Sequence, residues 1–355
     1  MSNTSESTYY NFIMSDSEKS MKTIFHKKWI AFLNELEVPY GKAIQLRIGS
    51  HLRPLLVYWG NAIGSESIDT MRIDVATEIA ICVEIMHKTS IIIDDLIDAD
   101  EKRHNQTAFH MQYSSEEAII FAIYFLGKAF QKMNELSISY PALNSFPIGI
   151  LSQTLCSMAR GCLQELTLTP DSRYDIQKIS NIISLETSSL IKNSALLGFV
   201  ISREPNSIQM KLLSDIGDKV GYLFQAMNDL EPFSSYENIS LHKGSLNTDF
   251  ERSRKNLIVT YIYGMCSVKE KQQLLALKNT SEAVAYILSL YQKYNIFKVV
   301  RDDLKEVENQ VNSSLKQLVN QDINKQCLDE FYMFFTEIMN IAKARLFTNT
   351  DSEID

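Results

Sequence analysis

The sequence predicts an all-helical protein, and three observations carry that prediction. Only 12 glycines and 7 prolines punctuate 355 residues, and those are the residues that break helices. Apolar side chains recur at three- and four-residue spacing, or on every face, through Ile73–Ile93, Ala118–Met133, Ile150–Leu166 and Ile176–Ile201, which is the helical period. Convincing alternating strands and Asn-Gly hairpin turns are absent from the sequence.

Taken in order, residues 1–20 are rich in Ser, Thr, Asn and acids and read as a flexible polar tail. Helical patterning runs from about Glu18 onward, and one helical bundle is expected over 21–347, with a second polar tail at 348–355. Breaks are expected at Tyr140–Pro147, at Thr169-Pro170-Asp171-Ser172 and at Arg203–Ser207, where turn chemistry collects. The longest irregular stretch, Pro232–Asp249, is a candidate active-site loop.

A net charge of −8 argues against a general nucleic-acid binder, which needs a basic face to displace counterions. Five scattered cysteines, with no paired ligand spacing, read as reduced buried thiols. With no apolar leader at the N-terminus and no run of ~18 apolar residues, a cytoplasmic location is expected.

The sharpest local feature is Ile91-Ile92-Ile93-Asp94-Asp95-Leu96-Ile97-Asp98. On a helix Asp94 and Asp98 share a face, with Asp95 about 100° around. Like charges so spaced repel, and their place after an apolar run makes unpaired carboxylates costly. A divalent cation relieves both, and Mg²⁺ favours one or two carboxylates completed by phosphates and water. The alternative is an acidic helix end facing solvent; Lys102 and Arg103 nearby favour the anion-binding reading. A second polar stripe, Gln225, Asn228 and Asp229, lies on an otherwise apolar segment that ends at Glu231-Pro232. It is either a second wall of a metal-lined cavity or a capped helix end.

At these residues the chain resembles the trans-isoprenyl diphosphate synthase family, whose mark is two DDxxD motifs on facing helices. Glu84-Ile85-Met86-His87-Lys88-Thr89-Ser90 is similar to the lead-in E-L-I-H-x-x-S, and Gly49-Ser50-His51-Leu52-Arg53-Pro54 to G-K-x-x-R-P. Gly161-Cys162-Leu163-Gln164-Glu165 resembles G-Q-x-x-D, Glu186-Thr187 the family's Lys-Thr, and Gly221–Gln225 its G-x-x-F-Q. Lys243 and Asp249 fall near its Lys-Pro-x-Gly-x-Asp loop.

The resemblance implies a helical bundle around a central hydrophobic cavity, a homodimer, and two or three Mg²⁺ ions. It implies that Asp94, Asp95 and Asp98, with Asn228, Asp229 and Glu231, hold metal against an allylic prenyl diphosphate. Lys102 and Arg103 stand in for an arginine pair, and Arg53 and His87 contact isopentenyl diphosphate. Thr187, Gln225 and Lys243 meet the leaving diphosphate or the reaction centre. A small Thr89, five before Asp94 with Ser90 beside it, implies an open tunnel and a donor or product of C15 or longer.

The departures are as informative. Asn228 and Pro232 replace the outer aspartates of the second motif, and Ser50 and Glu186 replace two lysines. Losing a charge-assisted phosphate bond costs about 1.5–3 kcal/mol, so affinity for the usual acceptor should suffer. The leading expectation is head-to-tail transfer to isopentenyl diphosphate, or to another acceptor in the altered pocket. A terpene cyclase is disfavoured because Phe233 stands where its second motif needs Ser or Thr. A non-catalytic subunit is disfavoured by the intact first motif.

Overall fold

The fold comes from a computed structural model, which describes residues 16–66, 72–103, 106–143, 146–169, 172–204, 206–234, 255–277 and 280–347. They form two compact units. The first draws on Met1–Ser152, Asn193–Leu213 and Gln317–Asp355, the second on Gln153–Lys192 and Ser214–Lys316.

In chain order, the first helices are α1 (Asp16–Asn34), α2 (Ile44–Arg47), α3 (Leu52–Gly64) and α4 (Ile73–Ile97). Two short strands follow, β1 (Lys102–Arg103) and β2 (Gln106–Thr107), and then α5 (Phe109–Gln112) and α6 (Ser115–Ser139). Next come α7 (Phe146–Leu166), α8 (Ile176–Ile183), a π-helical turn at Ser184–Ser188, α9 (Ser189–Ser202) and α10 (Ser207–Ser234). The last are α11 (Leu257–Met265), α12 (Val268–Ala276), α13 (Thr280–Lys293), α14 (Ile296–Val319) and α15 (Lys325–Phe347).

The four segments with helical periodicity are helical, and the prolines of 140–147 fall at a break. Two details differ from the sequence reading. Helix α1 begins at Asp16, inside the stretch read as tail, because Met21, Phe25, Trp29 and Leu33 make a buried stripe at four-residue spacing. A short strand pair interrupts the helices: β1 and β2 pair antiparallel, with Lys102 opposite Thr107 and Arg103 opposite Gln106. Two residues per strand are too few to show alternation in sequence. Helix α10 also runs through Pro232 to Ser234, two residues past the expected break. Residues 235–254, most of the candidate loop, lie outside the described residues.

In the first unit α4 is the central element, packed on α3, α6 and α1. Its residues from Val75 to Met86 are almost all buried, which explains why it is apolar on every face. Trp29 is fully buried and donates from Nε1 to the Leu46 carbonyl at 2.9 Å, tying α1 to the end of α2. Stacked Phe109, Phe121 and Phe125 extend the same core.

How α4 ends decides where its acidic residues point. Asp98 is its C-cap. Asp100 N–H donates to the Asp95 carbonyl at 2.9 Å and Ala99 N–H to that of Leu96 at 3.2 Å, which is the Schellman pattern. The residue at the left-handed position is Ala99, with φ 44°, where glycine is the usual choice. Closure there reverses the chain, so that β1 returns over the end of the helix. Replacing Ala99 by Gly should therefore stabilise the protein by about 0.5–1 kcal/mol, read as a higher thermal midpoint. A lower midpoint would mean that the left-handed turn is not formed in solution.

Candidate active site

In the first unit the DDxxD carboxylates gather at the C-terminal end of α4, where the helix dipole is already negative. The strand pair answers that charge. Arg103 donates through Nε to Asp95 Oδ1 at 2.6 Å, through Nη2 to the same oxygen, and through Nη2 to Asp94 Oδ2 at 3.2 Å. Burial works against the Arg103 charge, but Asp95 and Asp94 outweigh it and raise its pKa further. Asp95 is almost wholly buried beneath this guanidinium, whereas the Asp94 side chain is 44% exposed. Asp98, one turn on, is partly exposed.

These three carboxylates do different work. Asp95 is committed to an ion pair that holds β1 in place. Asp94 and Asp98 offer hard oxygen donors one helical turn apart, which suits Mg²⁺ when phosphates and water complete its shell. Lys102 and Arg103 do not act together here. Successive strand residues point to opposite faces; Arg103 turns in over the carboxylates, and Lys102 is exposed.

About two and three turns upstream of Asp94 on α4, His87 and Glu84 meet the segment that carries Arg53. The Arg53 guanidinium donates from Nη1 to His87 Nε2 at 2.8 Å. Glu84 is buried; His51 Nδ1 lies 3.3 Å and His87 Nδ1 3.5 Å from its oxygens. Burial alone would raise the Glu84 pKa, but its contacts with His51 and His87 hold it well below the carboxylate range. Burial, with the Arg53 charge beside it, lowers His87 to about 3 and keeps it neutral. Thr89 is buried, with no hydrogen-bond partner for its hydroxyl among the described residues, and Ser90 donates to the His87 carbonyl at 2.8 Å.

In the second unit three predicted residues form one chain of hydrogen bonds. Thr187 donates to Gln225 Oε1 at 2.8 Å, and Gln225 Nε2 donates to Asp229 Oδ1 at 2.7 Å. Asp229 Oδ2 accepts from the Leu257 amide, also at 2.7 Å, at the first residue of α11. Burial raises Asp229 to about 6, against the lowering effect of those two donors. Thr187 reaches Gln225 from the π-helical turn, a distortion that recurs at functional positions. Gly221 is required one turn below, since a Cβ there would stand 2.3 Å from Ser188 Cα. Asn228 is exposed and takes no part in the chain. Glu231 lies in the last turn of α10 with its side chain outside the described residues, as is the whole of Lys243.

The sequence reading missed Lys255. Its ammonium lies 3.0 Å from Glu165 Oε2 and also pairs with Glu186, and its amide donates to Glu165 Oε1 at 2.9 Å. Burial opposes that charge, but Glu186 and Glu165 outweigh it and push its pKa above the usual lysine range. A cation therefore does reach Glu186, from a residue far along the chain. Among the described residues no three of His, Cys, Asp or Glu converge as a ready-made metal cluster.

A family described as Polyprenyl synthetase matches residues 36–294 of the chain. The chain is 26% identical over 257 residues to a geranylgeranyl diphosphate synthase of Sulfolobus acidocaldarius, covering 70% of this chain and 74% of that protein. Among solved structures it resembles a geranylgeranyl pyrophosphate synthase, with TM-score 0.75, 19% identity, and coverage of 92% of this chain and 99% of that one. It also resembles a polyprenyl synthetase from Streptomyces coelicolor A3(2), with TM-score 0.74, 17% identity, and coverage of 91% and 98%. At these identities the structural likeness speaks to the fold.

Two outcomes follow from the charge pairs. Arg103→Met should destabilise by about 3–5 kcal/mol, because it leaves Asp95 buried without its cation. Adding Asp95→Asn to that variant should recover much of the loss. Equal unfolding midpoints for wild type and Arg103→Met would rule out the pair. His87 binds a proton far more readily unfolded, near 6.5, than folded, near 3. Its neutral burial thus favours the fold above pH 6.5, and that advantage is lost as pH falls below it. Between pH 6.5 and 5 the wild type should lose about 1–2 kcal/mol more than His87→Gln; parallel pH profiles would contradict the assignment.

Proposed function

Because the chain belongs to the polyprenyl synthetase family, and is thus a prenyl-transferring enzyme, we propose that it ionises an allylic prenyl diphosphate with Mg²⁺ and transfers the prenyl group head-to-tail to isopentenyl diphosphate. The single observation that carries this reading is the division of labour at the end of α4. Arg103 neutralises buried Asp95, while the Asp94 side chain is 44% exposed and Asp98 lies one helical turn on, which supports reading these two as the metal ligands.

Asp94 and Asp98 would hold the ion. Once bound, it supplies positive charge to the diphosphate oxygens as the allylic C–O bond breaks. Asp95 and Arg103 keep the helix end and the returning strand in register, so that the two ligands are preorganised. In the acceptor half, Arg53 is the cation for the diphosphate of isopentenyl diphosphate, with Ser50 where the family has a second cation. In the second unit, the Thr187–Gln225–Asp229 chain uses the one Thr187 proton and fixes the orientation of the Gln225 amide, whose second N–H can donate to a phosphate oxygen. That both oxygens of Asp229 are engaged supports a reading in which the second motif holds metal less tightly than the first.

Thr89 is small and buried, which supports a donor or product of C15 or longer. Among the described residues no helix is long and apolar enough to cross a membrane. We place the enzyme in the cytoplasm as a homodimer.

The test is direct. Purified protein with Mg²⁺, farnesyl diphosphate and labelled isopentenyl diphosphate should yield longer prenyl diphosphates. Asp94→Ala and Asp98→Ala should each lower turnover by about 10³-fold or more while leaving the circular dichroism helical. Diphosphate release onto another nucleophile, without isopentenyl incorporation, would show that the altered acceptor pocket serves a different partner. Full activity in both aspartate variants would sink the metal assignment.

A further inference from the structure

Three carboxylates of the second unit meet the start of α11. Glu165 and Asp229 are buried and Glu186 is half-buried, so leaving any of them charged and unpaired would be costly. Glu165 takes both donors of one residue: the Lys255 amide reaches Oε1 at 2.9 Å, and the Lys255 ammonium reaches Oε2 at 3.0 Å. The same ammonium donates to Glu186, which lies in the π-helical turn. Two residues on, the Leu257 amide donates to Asp229 Oδ2 at 2.7 Å. Leu257 is the first residue of α11, so Asp229 also has the positive end of a helix dipole beside it.

Among the described residues, the second motif does not fit a magnesium ion of its own. Mg²⁺ dehydrates reluctantly and keeps several waters around its carboxylate ligands. Asp229 is 8% exposed, and its two oxygens already accept from Leu257 N–H and Gln225 Nε2–H. Asn228 is exposed and carries an amide in place of a carboxylate, and residue 232 is proline. At the end of α4, by contrast, the Asp94 side chain is 44% exposed. An ammonium asks for less: three N–H donors on a compact charge, met directly by carboxylate oxygens. Lys255 brings that charge between Glu165 and Glu186, whose own charges keep its proton in place.

We propose that Lys255 is a resident cation of the second unit: its ammonium fills the place between Glu165 and Glu186 that a divalent ion would otherwise take, and the second motif binds no metal of its own. Asp229 is then an anchor for the first turn of α11, and the metal of the reaction is held at the end of α4 alone. Only that last clause rests on the proposed function, through Asp94 and Asp98 as ligands. Because the ammonium is tied to the chain, its charge is present whatever the Mg²⁺ concentration.

The experiment counts Mn²⁺ bound to the full-length protein by electron paramagnetic resonance, with and without farnesyl thiolodiphosphate, a diphosphate slow to ionise. Asp229→Asn, which keeps an acceptor for the Leu257 amide, should bind as many ions as the wild type, whereas Asp94→Ala should bind fewer in the presence of the diphosphate. Lys255→Ala leaves two carboxylates without their cation. It should melt below the wild type, regain part of that loss in millimolar Mn²⁺, and bind about one further ion per chain even without diphosphate. Adding Glu186→Gln to it should abolish that extra ion. Loss of an ion in Asp229→Asn would overturn the proposal, and so would a folded Lys255→Ala that binds no more Mn²⁺ than the wild type. If Lys255→Ala does not fold, the Asp229→Asn count decides. A wild type that fails to bind the thiolodiphosphate would count against the proposed function, and the ion gained by Lys255→Ala would still establish the ammonium site.

Discussion

Negative charge at the C-terminal end of a buried helix is the constraint on which the first unit is organised. Asp94, Asp95 and Asp98 add three carboxylates where the α4 dipole is already negative, and one of them, Asp95, has almost no access to solvent. The chain meets this with a tight reversal through Ala99 and a strand of two residues, whose main task is to bring Arg103 back over the helix end. The strand pair is thus the scaffold for a single guanidinium. Its small size follows from that, since one register position is enough.

The same device recurs in other places. Lys88 is fastened to backbone carbonyls and Glu84, and Lys255 lies between Glu165 and Glu186. Each is a buried or nearly buried cation that serves a local framework of carboxylates and carbonyls. Breaking such a pair by removing one partner is far more damaging than losing a surface ion pair. The charged residues therefore sort into two groups. Arg103, Lys88 and Lys255 each hold local structure within their own unit, while Asp94 and Arg53 are candidates for substrate contact.

How much of this could be read from the sequence depended on distance along the chain. The acidic cluster was legible because helix geometry makes i and i+4 neighbours, and so was the alignment of Gln225 with Asp229. The helices at 73–97 and 115–139 were legible because burial imposes its period on more than twenty residues. Lys102 and Arg103 were misleading as a pair: adjacency in sequence suggests joint action, and an extended backbone sends neighbours to opposite faces. Lys255 gave no local sign, as its carboxylate partners come from α7 and the π-helical turn. Glu84 was visible as part of a motif, but its role depends on two histidines, one of them on a loop held to α4. The commitment of Asp229 to the first amide of α11 was likewise invisible, because that contact crosses a segment of irregular sequence.

The π-helical turn at Ser184–Ser188 has a consequence for chain length. Ile183 and Leu190 are seven residues apart, and in an unbroken α-helix they would lie in one stripe. Both are buried, but the wide turn admits one extra residue and rotates the following helix by about 100° relative to that register. Within the second unit, the residues from Ser189 to Lys192 therefore follow a second phase, and Thr187 lies at the change. Substitutions in this turn alter what a side chain offers; a single-residue deletion would alter which way the side chains just after it face. Here the chain is constrained by the number of its residues as much as by their kind.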